Sequence, residues 1–227
     1  MVVRRMPWSA IIVVVAATLA AVAGCTSSTA PGAAGPTTTD TLRAVTLFTG
    51  TMINTFGVSN FNGPAELEVG DLDATRPGVT ERGIVTFNIQ GLVAAHDTVT
   101  SAILRFDECN VSGAPFATGD SIVVNWLYAL TPPAQFQSTG SGRRNTGNVT
   151  LDTTMGFKYD TGAGLTNAVE TDVIDSSAFT QFRVQFQNTS GNNNGVSDFV
   201  DFRTAESGHC TGDSTRAPIL ILQAHTH

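Results

Sequence analysis

The sequence predicts an all-β protein, a single jelly-roll or β-sandwich domain behind an export signal and a flexible tether. Three observations predict it. Apolar residues recur with period two in many short runs, clusters of Gly, Asn, Pro and Ser separate those runs, and no stretch sustains a convincing helical period over three turns.

The first 24 residues have the order of a secretory signal: Arg4 and Arg5, an apolar run from Ile11 to Ala23, then small residues. That run is about 13 residues, whereas a helix needs roughly 20 to span hydrocarbon, so the segment is expected to target the chain and then be removed. Val22-Ala23-Gly24-Cys25 resembles the lipobox of bacterial lipoproteins, in which the cysteine sulfur receives diacylglycerol before cleavage on its N-terminal side. The resemblance implies lipid attachment at Cys25 and an extracytoplasmic address. Each buried methylene contributes about 0.8 kcal/mol, so several acyl chains together hold firmly. Thr26 stands where an Asp would resemble an inner-membrane retention signal, which points to the outer membrane if the host has two. The competing expectation is ordinary cleavage after Ala23, which releases a soluble protein.

Residues 25–40 follow as a tether of Ser, Thr, Pro, Gly and Ala with almost no bulk to bury. A flexible segment of about 15 residues spans roughly 20 Å, enough to hold a domain clear of lipid headgroups. Residues 41–227 are then the domain, large enough for its own core. In the segment from Arg82 to Gln90, Val85, Phe87 and Ile89 oppose Thr86, Asn88 and Gln90. From Gln181 to Gln187, Phe182, Val184 and Phe186 oppose Gln181, Arg183, Gln185 and Gln187. Both read as half-buried strands. Similar runs lie at Thr100 to Asp107, Ile122 to Leu130, Val149 to Thr153, Asp198 to Arg203 and Pro218 to Gln223.

With Cys25 acylated, Cys109 and Cys210 remain as an even pair in an oxidising compartment. A disulfide there closes a loop of about 100 residues and stabilises by up to roughly 4 to 5 kcal/mol; two buried thiols are the alternative. Neither cysteine has a partner at zinc-finger spacing. Without Arg4 and Arg5, ten cationic side chains face nineteen acids, a net charge of −9. Such a chain is a poor partner for nucleic acid or anionic headgroups.

Three blocks, taken in order, resemble the DNRLRE-type β-jelly-roll domains of secreted bacterial proteins. The first runs from Asn62-Gly63 through Leu67-Glu68-Val69-Gly70 to the Arg82–Ile89 strand. The second is Val99-Thr100-Ser101-Ala102-Ile103-Leu104-Arg105-Phe106, and the third pairs Phe202-Arg203-Thr204-Ala205-Glu206 with Arg216-Ala217-Pro218-Ile219-Leu220-Ile221-Leu222. Some members of that family act as carbohydrate-binding modules. The resemblance therefore implies a jelly roll and a glycan ligand. The late Trp and the turn that often precede the family's final strands are altered around Gln187 to Asp198.

Sugar sites pair an aromatic face with planar amides, carboxylates or Arg. Trp126 and Tyr128 stand two apart on one strand face and form a stacking platform if that face is outward. Ile122, Val124 and Leu130 share their parity, which favours the core. Phe136 and the pair Arg143 and Arg144, in polar loops, are further ligand candidates. Asp71, Asp73, Asp198 and Asp201 are candidate oxygen ligands for a structural calcium, although isolated Asp residues in turns commonly bond nearby backbone. No cofactor is required. His96, His209, His225 and His227 form no recognisable ligand motif, and the last two lie at a terminus expected to fray.

The chain has no nucleophile elbow, metal-hydrolase helix or phosphate loop. Asp107 and Glu108 are adjacent, so on a strand they point to opposite faces and cannot flank one glycosidic bond. The function expected is a non-catalytic, membrane-anchored surface lipoprotein whose domain binds polysaccharide or another glycan. An envelope structural or adhesion protein contacting protein partners is the alternative, and a polysaccharide-degrading enzyme is the minority one.

Overall fold

The computed structural model describes residues 35–55, 58–61, 63–72, 79–95, 97–116, 121–127, 144–149, 154–187, 195–206 and 208–225. The signal segment, Cys25, Asp73, Tyr128, Phe136, Arg143 and His96 lie outside them. Among the described residues, twelve antiparallel strands hydrogen-bond into one strongly curled sheet, a half-barrel. The strands are β1 (Thr37–Arg43), β2 (Gly50–Thr55), β3 (Val58–Phe61), β4 (Leu67–Asp71), β5 (Val79–Asn88), β6 (Thr98–Ser112), β7 (Ile122–Trp126), β8 (Arg144–Val149), β9 (Gly156–Asp160), β10 (Phe179–Phe186), β11 (Phe199–Phe202) and β12 (Ile219–His225). Two α-helices accompany them among the described residues, α1 (Gln90–Ala95) and α2 (Ala163–Ile174). None of the described helices is long and apolar enough to cross a membrane.

The main path runs β1-β12-β6-β11-β4-β5-β10-β7-β8, with β2 and β3 attached through β5 and β9 attached to β6. Its concave face buries Val69, Val85, Phe87, Leu104, Phe106, Phe182, Val184, Val200 and Leu220, each fully buried. These are the period-two residues of the sequence, so alternation alone selects the core face.

Three departures from the sequence reading have physical causes. First, β1 begins at Thr37, inside the expected tether, and pairs with β12 from Thr37↔His225 to Arg43↔Ile219. Its run of Thr residues is β-branched and fits a pleated edge, and the pairing carries β12 to His225 where fraying was expected. Second, β10 is not half-buried. It lies between β5 and β7, and Gln181, Arg183 and Gln185 on its polar face are as buried as Phe182 and Val184 on the other.

Third, α2 exists. Leu165, Ala168, Val169, Asp172 and Val173 are its buried residues, at i, i+3, i+4, i+7 and i+8. An acid inside that stripe hides the period. Asp160 launches the helix by accepting the Gly162 N–H at Oδ1, 2.9 Å away. Thr166 and Glu170 of α2 then accept the backbone N–H groups of Ala102 and Val99 on β6, covering an edge that β9 reaches only from Leu104 to Glu108. β7 runs from Ile122 to Trp126, and residues 128–130 of the longer run expected from the sequence lie outside the described residues.

Candidate functional site

Opposite the core, the outer face of β6, β9, β11 and β4 carries the chemistry. Directly paired residues share a face in an antiparallel sheet. Tyr159 pairs with Arg105, Phe157 with Asp107, and Asp201 with both Asn110 and Glu68. Across this face lies the segment from Arg203 to Ala217, which joins β11 to β12.

That segment is fastened at several points. The Cys109–Cys210 disulfide ties it to β6, with 6.2 Å between the Cα atoms. Such bridges persist in oxidising compartments, so this one suggests an extracytoplasmic domain. Asp107, fully buried, accepts from Arg203 Nε at 2.8 Å and from Arg216 Nη2 at 2.7 Å. A buried carboxylate needs this much compensation, because an unpaired charge there is costly. Arg203 also donates to the Thr211 carbonyl, and Arg105 to the Thr215 carbonyl.

The first half of the site is aromatic. Phe157 and Tyr159 are 43% and 49% exposed, while Lys158 and Asp160 between and beside them turn inward. Two residues apart on a strand, the rings rise about 7 Å from one another on one surface. The Arg105 guanidinium sits 4.4 Å from the Phe157 ring centroid and that of Arg216 5.2 Å, both within cation–π range. The Asp107 ion pairs hold Arg216 in place, so a ligand would meet a cation that is already ordered.

The second half is acidic. His209 Nδ1 stands 3.0 Å from Glu68 Oε2 and 3.5 Å from Asp201 Oδ2, and its Nε2 is 3.9 Å from Glu66 Oε1. Asn110 Nδ2 donates to Asp201 Oδ2 at 2.8 Å. Burial, reinforced by the neighbouring Glu81 and Asp201 carboxyls, pushes Glu68 up to about 11. Glu66, Asp201, Thr204 and His209 line a shallow pocket beside it.

The residues singled out in the sequence are distributed differently. Trp126 is 3% exposed and donates its indole N–H to Asp172 Oδ2 at 2.8 Å, so it fills the core and offers no face to a sugar. Arg144 opens β8. Asp198 Oδ1 accepts the Ala114 N–H, and its carbonyl accepts the Asp71 N–H. Asp71 and Asp198 thus link the end of β4 to the approach to β11, and among the described residues neither belongs to the group of ligating types around Asp201. Among the described residues, the metal-ligating types that come together in a group of three are Glu68, Asp201 and His209. Phe157, Tyr159 and His209 were not singled out as site residues in the sequence. An alternating Gly-Phe-Lys-Tyr-Asp run was the available signal for the first two. No family model matches the chain, and no curated protein matches it.

Proposed function

We propose that this is a non-catalytic envelope lipoprotein, anchored through Cys25, whose β domain binds polysaccharide on the Phe157–Tyr159 face. The observation that carries it is the pair of half-exposed aromatic rings on one flat strand surface, flanked by ordered guanidinium groups. Aromatic faces stack on the C–H side of sugar rings, and arginine donors reach hydroxyl or acidic substituents. The three sequence blocks similar to DNRLRE-type jelly rolls support a glycan ligand. A jelly-roll topology is the finer form of the curled sheet that this resemblance implies. The calcium expected at Asp71, Asp73, Asp198 and Asp201 is no part of this reading.

A second reading, docking of a protein partner, is favoured by Met155. It is 61% exposed just before the two aromatics and extends an apolar strip that sugars do not need. A glycan array separates the two. Full-length protein in detergent is expected to bind a reproducible subset of acidic or neutral glycans, with binding lost in Tyr159→Ala and Phe157→Ala. Silence across the array, together with a partner cross-linked through this face, would establish the protein-docking reading instead. For the anchor, intact mass of the mature protein is expected to show acylated Cys25 as its first residue; an N terminus at Gly24 without acyl mass would contradict it.

A further inference from the structure

We propose that Glu68, Asp201 and His209 form a binding site for a first-row divalent cation of the zinc type, which fastens the Arg203–Ala217 segment to β4 and β11. The site lies beyond the aromatic face and does not depend on a glycan ligand. Four donors held at about 2.0 to 2.1 Å around a tetrahedral zinc stand about 3.3 Å from one another. The two distances from His209 Nδ1, 3.0 and 3.5 Å, bracket that value, and all three ligand atoms lie within 4.8 Å of one another.

The donor set selects the class of cation. One imidazole nitrogen with two carboxylates suits zinc and its neighbours, whereas calcium and magnesium favour oxygen-only shells of six or more ligands. Glu68 adds a second observation: it is 1% exposed, and the Glu81 and Asp201 carboxyls lie against its own. Carboxyls gathered out of water disfavour one another's charge, and a cation bound beside Oε2 offsets this.

The outer partners also fit. Asn110 orients the Asp201 carboxylate from β6, and Glu66 faces the remaining ring nitrogen of His209. Such secondary contacts hold metal-bound imidazoles and carboxylates in position. Cys210, next to His209, is committed to the disulfide and is not a ligand. With three protein ligands, the fourth position falls to water, which the half-exposed His209 leaves room to enter.

The test uses full-length protein freed of metal with a chelator, then titrated with zinc chloride alone by calorimetry and followed by thermal denaturation. Calcium chloride is run in parallel. One zinc equivalent is expected to bind and to raise the melting temperature, with calcium much weaker. His209→Ala and Asp201→Asn are each expected to weaken zinc binding by at least about tenfold, while His225→Ala leaves it unchanged. Because the His209 side chain is half-exposed, its truncation should leave the circular dichroism spectrum intact, and this keeps the result interpretable. Three outcomes would overturn the proposal: no zinc-dependent shift in the wild type, unchanged zinc affinity in His209→Ala, or calcium binding as tightly as zinc.

Discussion

A carboxylate that leaves water must find donors, and Asp172 shows how the chain meets that need. It is 1% exposed on α2, and burial pushes its pKa up to about 6, while hydrogen bonds from Thr180 and Trp126 draw it back down. Between its ordinary value near 3.8 and about 6, the folded protein holds a proton that the unfolded chain has released. Stability from this group therefore falls as pH rises through that window and levels off above it. Trp126→Phe removes a donor that matters most when Asp172 is ionised. The expected cost is about 1.5 to 3 kcal/mol at pH 7 and smaller at pH 5, measured by urea unfolding at both values; equal costs would contradict the role given to Asp172. The same residue explains why sequence reading was incomplete. Trp126 was legible as core from its parity with Ile122 and Val124. Its polar partner on a distant helix was not, because a Trp–Asp contact 46 positions apart leaves no local pattern.

Strands were the most legible elements, since period two depends only on which face meets the core. Val85 and Phe87, or Phe182 and Val184, are buried as their spacing requires. The helix α2 was not, because Asp172 replaces an apolar residue in its stripe. Register, too, is decided by contacts between elements. Gly70, next to last in β4, has φ +148, and a Cβ there would stand 2.2 Å from the Asp198 carbonyl oxygen and 2.6 Å from Phe199 Cα. Both are backbone atoms, one just before the paired strand β11 and one at its first residue, so they cannot turn aside. Gly70→Ala is expected to destabilise by about 2 to 3 kcal/mol through backbone strain and separation of β4 from β11. A loss below about 0.5 kcal/mol, the usual scale of a neutral surface change, would show that the strands part easily here.

At the scale of the molecule, the segment Arg203–Ala217 is where the fold and the candidate sites meet. The disulfide, the Asp107 ion pairs and the Glu68–Asp201–His209 group all hold it against the outer face of the sheet. The pair of cysteines left once Cys25 is set aside made the bridge legible; the sites were not, because their residues come from four strands and a loop. The bridge joins positions 101 apart in sequence, so its reduction is expected to cost up to about 4 to 5 kcal/mol in the chain-entropy account. Denaturation in the presence and absence of reductant measures this. Loosening the segment should also release Arg216 from Phe157 and weaken any ligand held there.

The most direct test of the proposal that the Phe157–Tyr159 face binds glycan is oxidative footprinting of the full-length protein with and without the polysaccharide that scores highest on the array. Protection of Met155, Phe157 and Tyr159, with the rest of the domain unchanged, is the predicted result. Binding that leaves those three residues as reactive as before, or that protects another surface instead, would contradict the assignment of the face.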